Sequence, residues 1–243
     1  MTTIVGRGEI GRGLYAYLRR YGEVRLVGHR ELVEGYCYIC SGVTKTKDCE
    51  ERPLEAWRIN VENTVEIASK TEGIWISSER VFDGSVPFRG KWDERSPTTE
   101  YGRQKVITEN FLLGDGRYGV IRFSKVIGWA VPLFEGWVDD LRKDREIHPF
   151  SNMSMAPISL GYACEVLRKM RGRVGLYQVS GDRDISYDRI AYHICNYMGK
   201  DLKLVQPVLS DKPHPYTTLK SDFETEDSWE VIYDWCRKRI QPN

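Results

Sequence analysis

Gly73-Ile74-Trp75-Ile76-Ser77-Ser78-Glu79-Arg80-Val81-Phe82-Asp83-Gly84, followed by Tyr101-Gly102-Arg103-Gln104-Lys105, is the stretch that decides the reading of this 243-residue chain. Residues 73–76 are short, apolar and β-prone, which predicts a buried strand that ends in two serines. In an open α/β sheet, ligands collect outside the carboxyl ends of the strands. Ser77 and Ser78 therefore fall where chemistry is done. Residues 101–113 have helical spacing, with Tyr101, Lys105, Thr108 and Leu112 on one face. Tyr and Lys four apart on a helix project side by side. A hydroxyl, a phenol and an ammonium thus converge on one point.

The N-terminus supplies a second signal. Thr2-Thr3-Ile4-Val5 reads as a short strand, Gly6-Arg7-Gly8-Glu9-Ile10-Gly11 follows, and residues 14–21 read as a helix. Strand, G-x-G-x-x-G and helix is the dinucleotide-binding fingerprint in its required context. Gly6 permits a tight turn, Gly8 lets the backbone approach a pyrophosphate, and Gly11 lets helix and strand pack closely. Glu9 and Ile10, within the loop, are expected to border the cofactor, and the helix N-terminus offers unpaired N–H groups to phosphate. Residues 23–28 read as the second strand. NAD enzymes place Asp or Glu at its tip, to bond the ribose 2′-hydroxyl. Here Gly28-His29-Arg30 follows, with no carboxylate at the tip, and an arginine fork suits a 2′-phosphate. This favours NADP(H), while Glu31, one position on, leaves NAD(H) open. Few residues separate that strand from the next, at 36–40, so the adenine half of the cofactor cleft is expected to be trimmed. Ser41 and Gly42 close the latter strand and border the cofactor. A helix follows Pro53, with Asn60 in a structural hydrogen bond.

The same residues carry a family resemblance. Ser77 to Gly84 and the Tyr101, Lys105 pair resemble the extended short-chain dehydrogenase/reductases. Within them they are similar to the dTDP-4-dehydrorhamnose reductase-like, sugar nucleotide-binding branch. That branch has Ser-Thr-Asp-Tyr-Val-Phe-x-Gly followed by Tyr-x-x-x-Lys. The glycine loop departs from the branch's Gly-x-x-Gly-x-x-Gly by one residue. The resemblance implies an α/β Rossmann-type, doubly wound parallel sheet with a smaller C-terminal substrate-binding lobe. Residues 1–130 form the dinucleotide-binding domain, 160–180 return to its sheet, and 131–243 are mainly the lobe. It places Ser78 at the catalytic Ser/Thr, Tyr101 at the acid and Lys105 at the nicotinamide ribose. Arg122, Phe123, Ser124, Val126 and Gly128 match a segment lining the nicotinamide side, although an arginine within a strand also suits a buried ion pair. The substrate, a nucleotide sugar, is expected between residues 82–97 and 133–157, touching Ser78, Glu79, Val81, Phe82, Tyr101, Trp137 and Pro157.

The implied chemistry is reduction of a nucleotide-linked keto-sugar. Tyr101 protonates the carbonyl oxygen, and a free phenol has a pKa of about 10. The Lys105 ammonium and a nicotinium ring are expected to lower it. Ser78 polarises the carbonyl. An epimerase or dehydratase of the same fold is the enzyme alternative. Dehydratases carry an acid pair after the strand Ser/Thr, whereas Glu79 stands alone. A non-catalytic Rossmann binding or regulatory subunit is the other, suggested by the trimmed cofactor half.

Composition narrows the field. With 41% hydrophobic residues the chain can bury a sizeable core. Its net charge of +1 makes no electrostatic case for nucleic acid. No apolar run approaches membrane-span length and no signal-like segment opens the chain, so a cytoplasmic protein without a membrane partner is expected. A homodimer is compatible with the family. Six cysteines in this length do not form a disulfide scaffold. Cys37 and Cys40 match C-x-x-C, but residues three apart on a strand face opposite sides and cannot share one metal. No metal is expected.

Overall fold

Short apolar runs and amphipathic stretches alternate from the N-terminus. In the computed structural model, which describes residues 1–31 and 33–240, they become strands and helices of one parallel sheet. The order begins β1 (Thr2–Val5), α1 (Glu9–Leu18), β2 (Val24–Val27), β3 (Gly35–Ile39) and α2 (Thr46–Glu51). It continues through α3 (Pro53–Trp57), a π turn (Arg58–Glu62), α4 (Asn63–Lys70), β4 (Thr71–Ser78) and α5 (Glu100–Asp115). Then come β5 (Tyr118–Phe123), β6 (Val126–Ile127), α6 (Pro132–Arg142), β7 (Ser154–Met155), β8 (Ile158–Ser159), α7 (Leu160–Lys169) and β9 (Gly175–Val179). β10 (Ile185–Ser186), α8 (Tyr187–Tyr197) and α9 (Ser228–Arg239) complete the chain.

The sheet order is β2-β1-β3-β4-β5-β9, with every neighbouring pair parallel. The chain moves outward from β1 to β2 and then crosses to β3 on the other side. This reversal opens a crevice at the carboxyl ends of β1 and β3. β4 is buried on both faces, with Ile74 facing the α1/α7 layer and Trp75 facing the α4/α5 layer. That explains its continuous apolar run.

The trimmed segment is real. Among the described residues between β2 and β3 there is no helix. Val33 joins the core beside Val5, Val27 and Ile39, so the connection itself covers the sheet there. Two local readings shift. The third strand ends at Ile39, and residues 41–44 are not strand. Helix α2 was not legible, because of its six residues only Cys49 is buried and no apolar period emerges. Cys37 and Cys40 face opposite sides of the sheet, and all six cysteines are free.

Beyond β5 a separate hydrophobic cluster forms from residues of α6, α8 and α9. Phe134 stacks on Trp137 and meets Trp235 edge-on at 5.1 Å. Helix α7 and strand β9 instead pack with the sheet. His193 lies edge-on to Tyr233 and Trp229, which is a packing role. No helix among the described residues is long and apolar enough to cross a membrane.

One buried ion pair ties the sheet to α5. Arg122 on β5 meets Glu109 on α5 through two hydrogen bonds of 2.8 and 2.6 Å. Glu109 also accepts from Ser77 at 2.6 Å and Arg95 at 3.1 Å. Arg122 further donates to Gln178 and the Lys91 carbonyl, and its guanidinium lies over Phe82. Removing one partner strands the other charge in the core, at a cost of about 3–5 kcal/mol. Glu109→Ala should therefore lower unfolding stability by about that amount in urea titrations. The double change Glu109→Leu with Arg122→Met should cost less than the two single changes added together. Strict additivity would show that the pair is not coupled.

Candidate active site

The glycine loop turns as its spacing predicts. Gly6 has φ +115°, and a side chain there would strike the Ser41 amide. A Cβ on Gly11 would come within 1.9 Å of the Gly6 carbonyl. A Cβ on Gly8 would meet nothing within 4 Å, so the backbone stands open at that point. The start of α1 carries no side-chain cap, leaving its first N–H groups free for an anion. Glu9 turns its carboxylate away to accept from the Ala130 amide at 2.7 Å. The glycine turn, the open approach at Gly8 and the uncapped helix fit the diphosphate of a dinucleotide.

From there a cleft of about 430 Å³ runs along the carboxyl ends of the sheet. Gly8, Glu9, Ile10, Ser41 and Gly42 line its cofactor end, together with Phe123, Ser124 and Val126. Ser78, Glu79, Tyr101 and Lys105 line the other end. Asn60 sits behind the wall, bonding both polar atoms of Val43 and the Gln104 side chain, in a structural role.

Tyr101 and Lys105 project together from α5, as their spacing requires. Tyr101 is capped into place by Thr99, whose hydroxyl accepts from the Gly102 amide. Lys105 donates to the Ile76 carbonyl at 2.7 Å and lies 5.5 Å from the Tyr101 ring centre. Burial pushes its ammonium down to about 8. The Ser78 hydroxyl donates to Glu79 at 2.6 Å, and its oxygen accepts from the Arg80 amide. Burial raises the Tyr101 phenol well above its ordinary value. The Glu79 carboxylate raises it further, and the hydrogen bond with Ser78 opposes both. The phenol is thus raised, against the lowering expected from Lys105, because the ring is enclosed and the Glu79 carboxylate acts on it.

Several expected contacts fall elsewhere. After Ser78 the chain enters a tight 3₁₀ turn over Glu79–Val81. That turn keeps Glu79 and Arg80 in the cleft and swings Val81 and Phe82 into a core with Leu219. Trp137 is buried in the lobe's own hydrophobic cluster, stacked on Phe134, and does not reach the cleft. Pro157 lies beneath the surface, packed on Gly181. Arg122 serves the buried ion pair and not the cofactor wall. The loop over residues 83–99 packs on residues 214–220 through Phe88, Tyr216 and Lys220 amides, away from the cleft. His29 and Arg30 form the turn after β2 and do not line the cleft. The same turn brings the Glu31 carboxylate back over the strand tip, where it accepts from the Gly28 amide at 2.6 Å and pairs with Arg7 at 2.8 Å. A carboxylate does occupy the tip, supplied from three residues further along.

The lobe wall is made instead by Ser154, Met155, Tyr187 and Thr217. Ser154 and Met155 fall within the stretch 133–157 expected to flank the substrate; sequence reasoning missed Tyr187 and Thr217, along with Cys40, Thr46, Arg80 and Lys125. Thr217 reaches the wall from the segment before α9. Asp184 holds it there, accepting from the Thr217 amide and hydroxyl.

These features define the class: a parallel Rossmann sheet, a glycine turn after its first strand, and a Ser, Tyr and Lys set at the carboxyl ends, as in the extended short-chain dehydrogenase/reductases. A family model described as the RmlD substrate binding domain matches residues 34–218, and the chain belongs to that family. Among solved structures the chain is similar to a dTDP-4-dehydrorhamnose reductase from Bacillus anthracis in complex with NADP. Identity is 17%, TM-score 0.86, with 98% of each chain covered. It is similar to a dTDP-4-dehydrorhamnose reductase ortholog from Clostridium acetobutylicum, at 20% identity and TM-score 0.86, covering 99% of this chain and 100% of that one. A UDP-glucose 4-epimerase from Thermotoga maritima, solved with UDP-glucose, shares 13% identity and TM-score 0.81, with 99% and 100% covered. A search of curated protein sequences finds no significant match.

One buried group near the site titrates unusually. His214 is enclosed under the Gly84 turn, and its Nε2 has no hydrogen-bond partner among the described residues. Burial, reinforced by the Arg80 guanidinium, pushes the imidazole down to about 3. The unfolded chain protonates the same ring near 6.5. Between those values the unfolded state binds more protons, so stability is full above about 6.5 and falls as the pH drops toward 3. His214→Gln should flatten the loss of thermal midpoint between pH 6.5 and 4.5. An unchanged slope in thermal unfolding would show that another group drives it.

Proposed function

We propose that the chain is a nicotinamide-dependent reductase of a nucleotide-linked keto-sugar. The observation that carries this reading is that Ser78, Tyr101 and Lys105 meet in the same cleft as the open glycine cradle. A nicotinamide dinucleotide, when bound there, supplies the hydride. The backbone at Gly8 and the start of α1 would hold its diphosphate, and Lys105 its ribose. Tyr101 holds its proton firmly in its enclosed position and releases it to the substrate oxygen as negative charge develops there. Ser78 directs its hydroxyl to the same oxygen once it leaves Glu79. Ser124 donates to the Ala156 carbonyl at 2.5 Å and so joins the sheet end to the lobe wall. NADP(H) is the favoured cofactor. Glu31 at the strand tip is met by Arg7 and Arg25, with Arg30 in the same turn, which leaves an excess of positive charge for a 2′-phosphate.

The test is NADPH oxidation with a panel of nucleotide-linked 4-keto sugars. Tyr101→Phe should keep folding and cofactor binding, and lose turnover by about 10²–10⁴-fold. Lys105→Met should weaken both turnover and cofactor binding, and Ser78→Ala turnover alone. Wild type that binds cofactor and nucleotide sugar without turnover would favour a binding subunit. Activity in Tyr101→Phe equal to wild type would refute the mechanism. Fluorescence titration should give tighter binding of NADPH than NADH, and Arg30→Ala should weaken NADPH selectively. Equal affinities would remove the case for NADP(H).

A further inference from the structure

Arg80 stands two residues past Ser78 on the reacting side of the cleft, where the resembling branch carries a tyrosine. Its side chain is about one-fifth exposed, and that of Glu79 less. Glu79 approaches the guanidinium at Nε, at 3.3 Å. Among the described residues the Arg80 side chain donates no hydrogen bond, and Glu79 is its one ion-pair partner. The backbone amide of Arg80 is fixed by Ser78, so the root of the side chain does not wander. The result is a held guanidinium that lines the cleft, with Nη donors that make no hydrogen bond to the described residues.

The surroundings suit an anion. Arg80, Lys105 and Lys125 line the cleft against two carboxylates, Glu9 and Glu79. Glu9 is turned to the Ala130 amide, and Glu79 is already taken by Ser78 and Arg80. His214, beside Arg80, is neutral and adds no competing charge. An arginine fork whose Nη donors make no hydrogen bond to the described residues is matched in geometry by a carboxylate, which it can bind bidentately. An apolar or hydroxylated sugar ring would leave those donors without a charged partner.

We propose that Arg80 forms an anion subsite that selects a nucleotide sugar bearing a carboxylate on the sugar ring, of the uronic-acid type. The subsite rests on the nucleotide-sugar reading given above and narrows it. Its position beside Ser78 points to the sugar rather than the diphosphate link, because Ser78 marks the reacting carbon.

The experiment is calorimetric titration of the NADP⁺-loaded protein with UDP-glucuronate, UDP-glucose, UDP, and the dTDP-linked glucose. Charge-assisted hydrogen bonds of this kind correspond to about tenfold to a hundredfold in affinity. Wild type should bind UDP-glucuronate tighter than UDP-glucose by about that factor. Arg80→Gln should erase the difference while leaving UDP-glucose and NADP⁺ binding intact, and Arg80→Lys should restore part of it. Equal binding of the two UDP-sugars by wild type overturns the subsite and leaves the nucleotide-sugar reading standing. An equal loss for UDP alone in Arg80→Gln assigns the fork to the diphosphate and also overturns it. If no nucleotide sugar of either base binds, the broader reading fails and the subsite falls with it.

Discussion

The fully enclosed Glu109 carboxylate is the constraint on which the rest depends. It accepts from Ser77 at the end of β4, from Arg122 on β5 and from Arg95 in the loop between them. One acidic side chain on α5 thus fixes two strand ends and a loop. Lys105 lies one helical turn before Glu109 and Tyr101 two turns before, on the same face of the helix. Ser78 follows Ser77 directly. The distances among the three reactive groups are therefore set by a buried ion pair that touches none of them. Such a pair gains little net stability over an apolar replacement, but it is intolerant of losing one partner.

Around that frame the electrostatics of the cleft are layered. Burial keeps Tyr101 protonated, and Glu79 adds to the effect, while Ser78 hydrogen-bonds to Glu79 and opposes the rise. Lys105 is tethered to the Ile76 carbonyl and rests over Trp75, with its ammonium made easier to discharge by enclosure. A phenol that holds its proton is suited to giving it up only when a strong acceptor forms beside it.

The cofactor half is economical. Seven residues connect β2 to β3, and Val33 packs on the sheet face there. The diphosphate cradle survives this trimming because it depends on Gly6, Gly8 and Gly11 and on the start of α1, all upstream of that connection. What changes is the strand tip, where the acid comes from Glu31 in a returning turn.

Much of this was legible in the sequence. Local rules sufficed for the glycine loop, the strand ending at Ser78, the Tyr101 and Lys105 pair and the amphipathic α9, since period, turn chemistry and i, i+4 spacing act over a few residues. The family and the parallel sheet followed from the same short motifs. Tertiary structure alone decided which side chains after Ser78 face the cleft, because one 3₁₀ turn sends Arg80 outward and Phe82 inward. It also decided that Trp137 belongs to the lobe core and that Met155, Tyr187 and Thr217 form the lobe side of the cleft. These residues come from β7, α8 and the segment before α9, and only packing of the lobe on the sheet brings them together. The state of the Tyr101 phenol was likewise beyond sequence, since it depends on burial and on the distance to Glu79, which no spacing rule along the chain encodes.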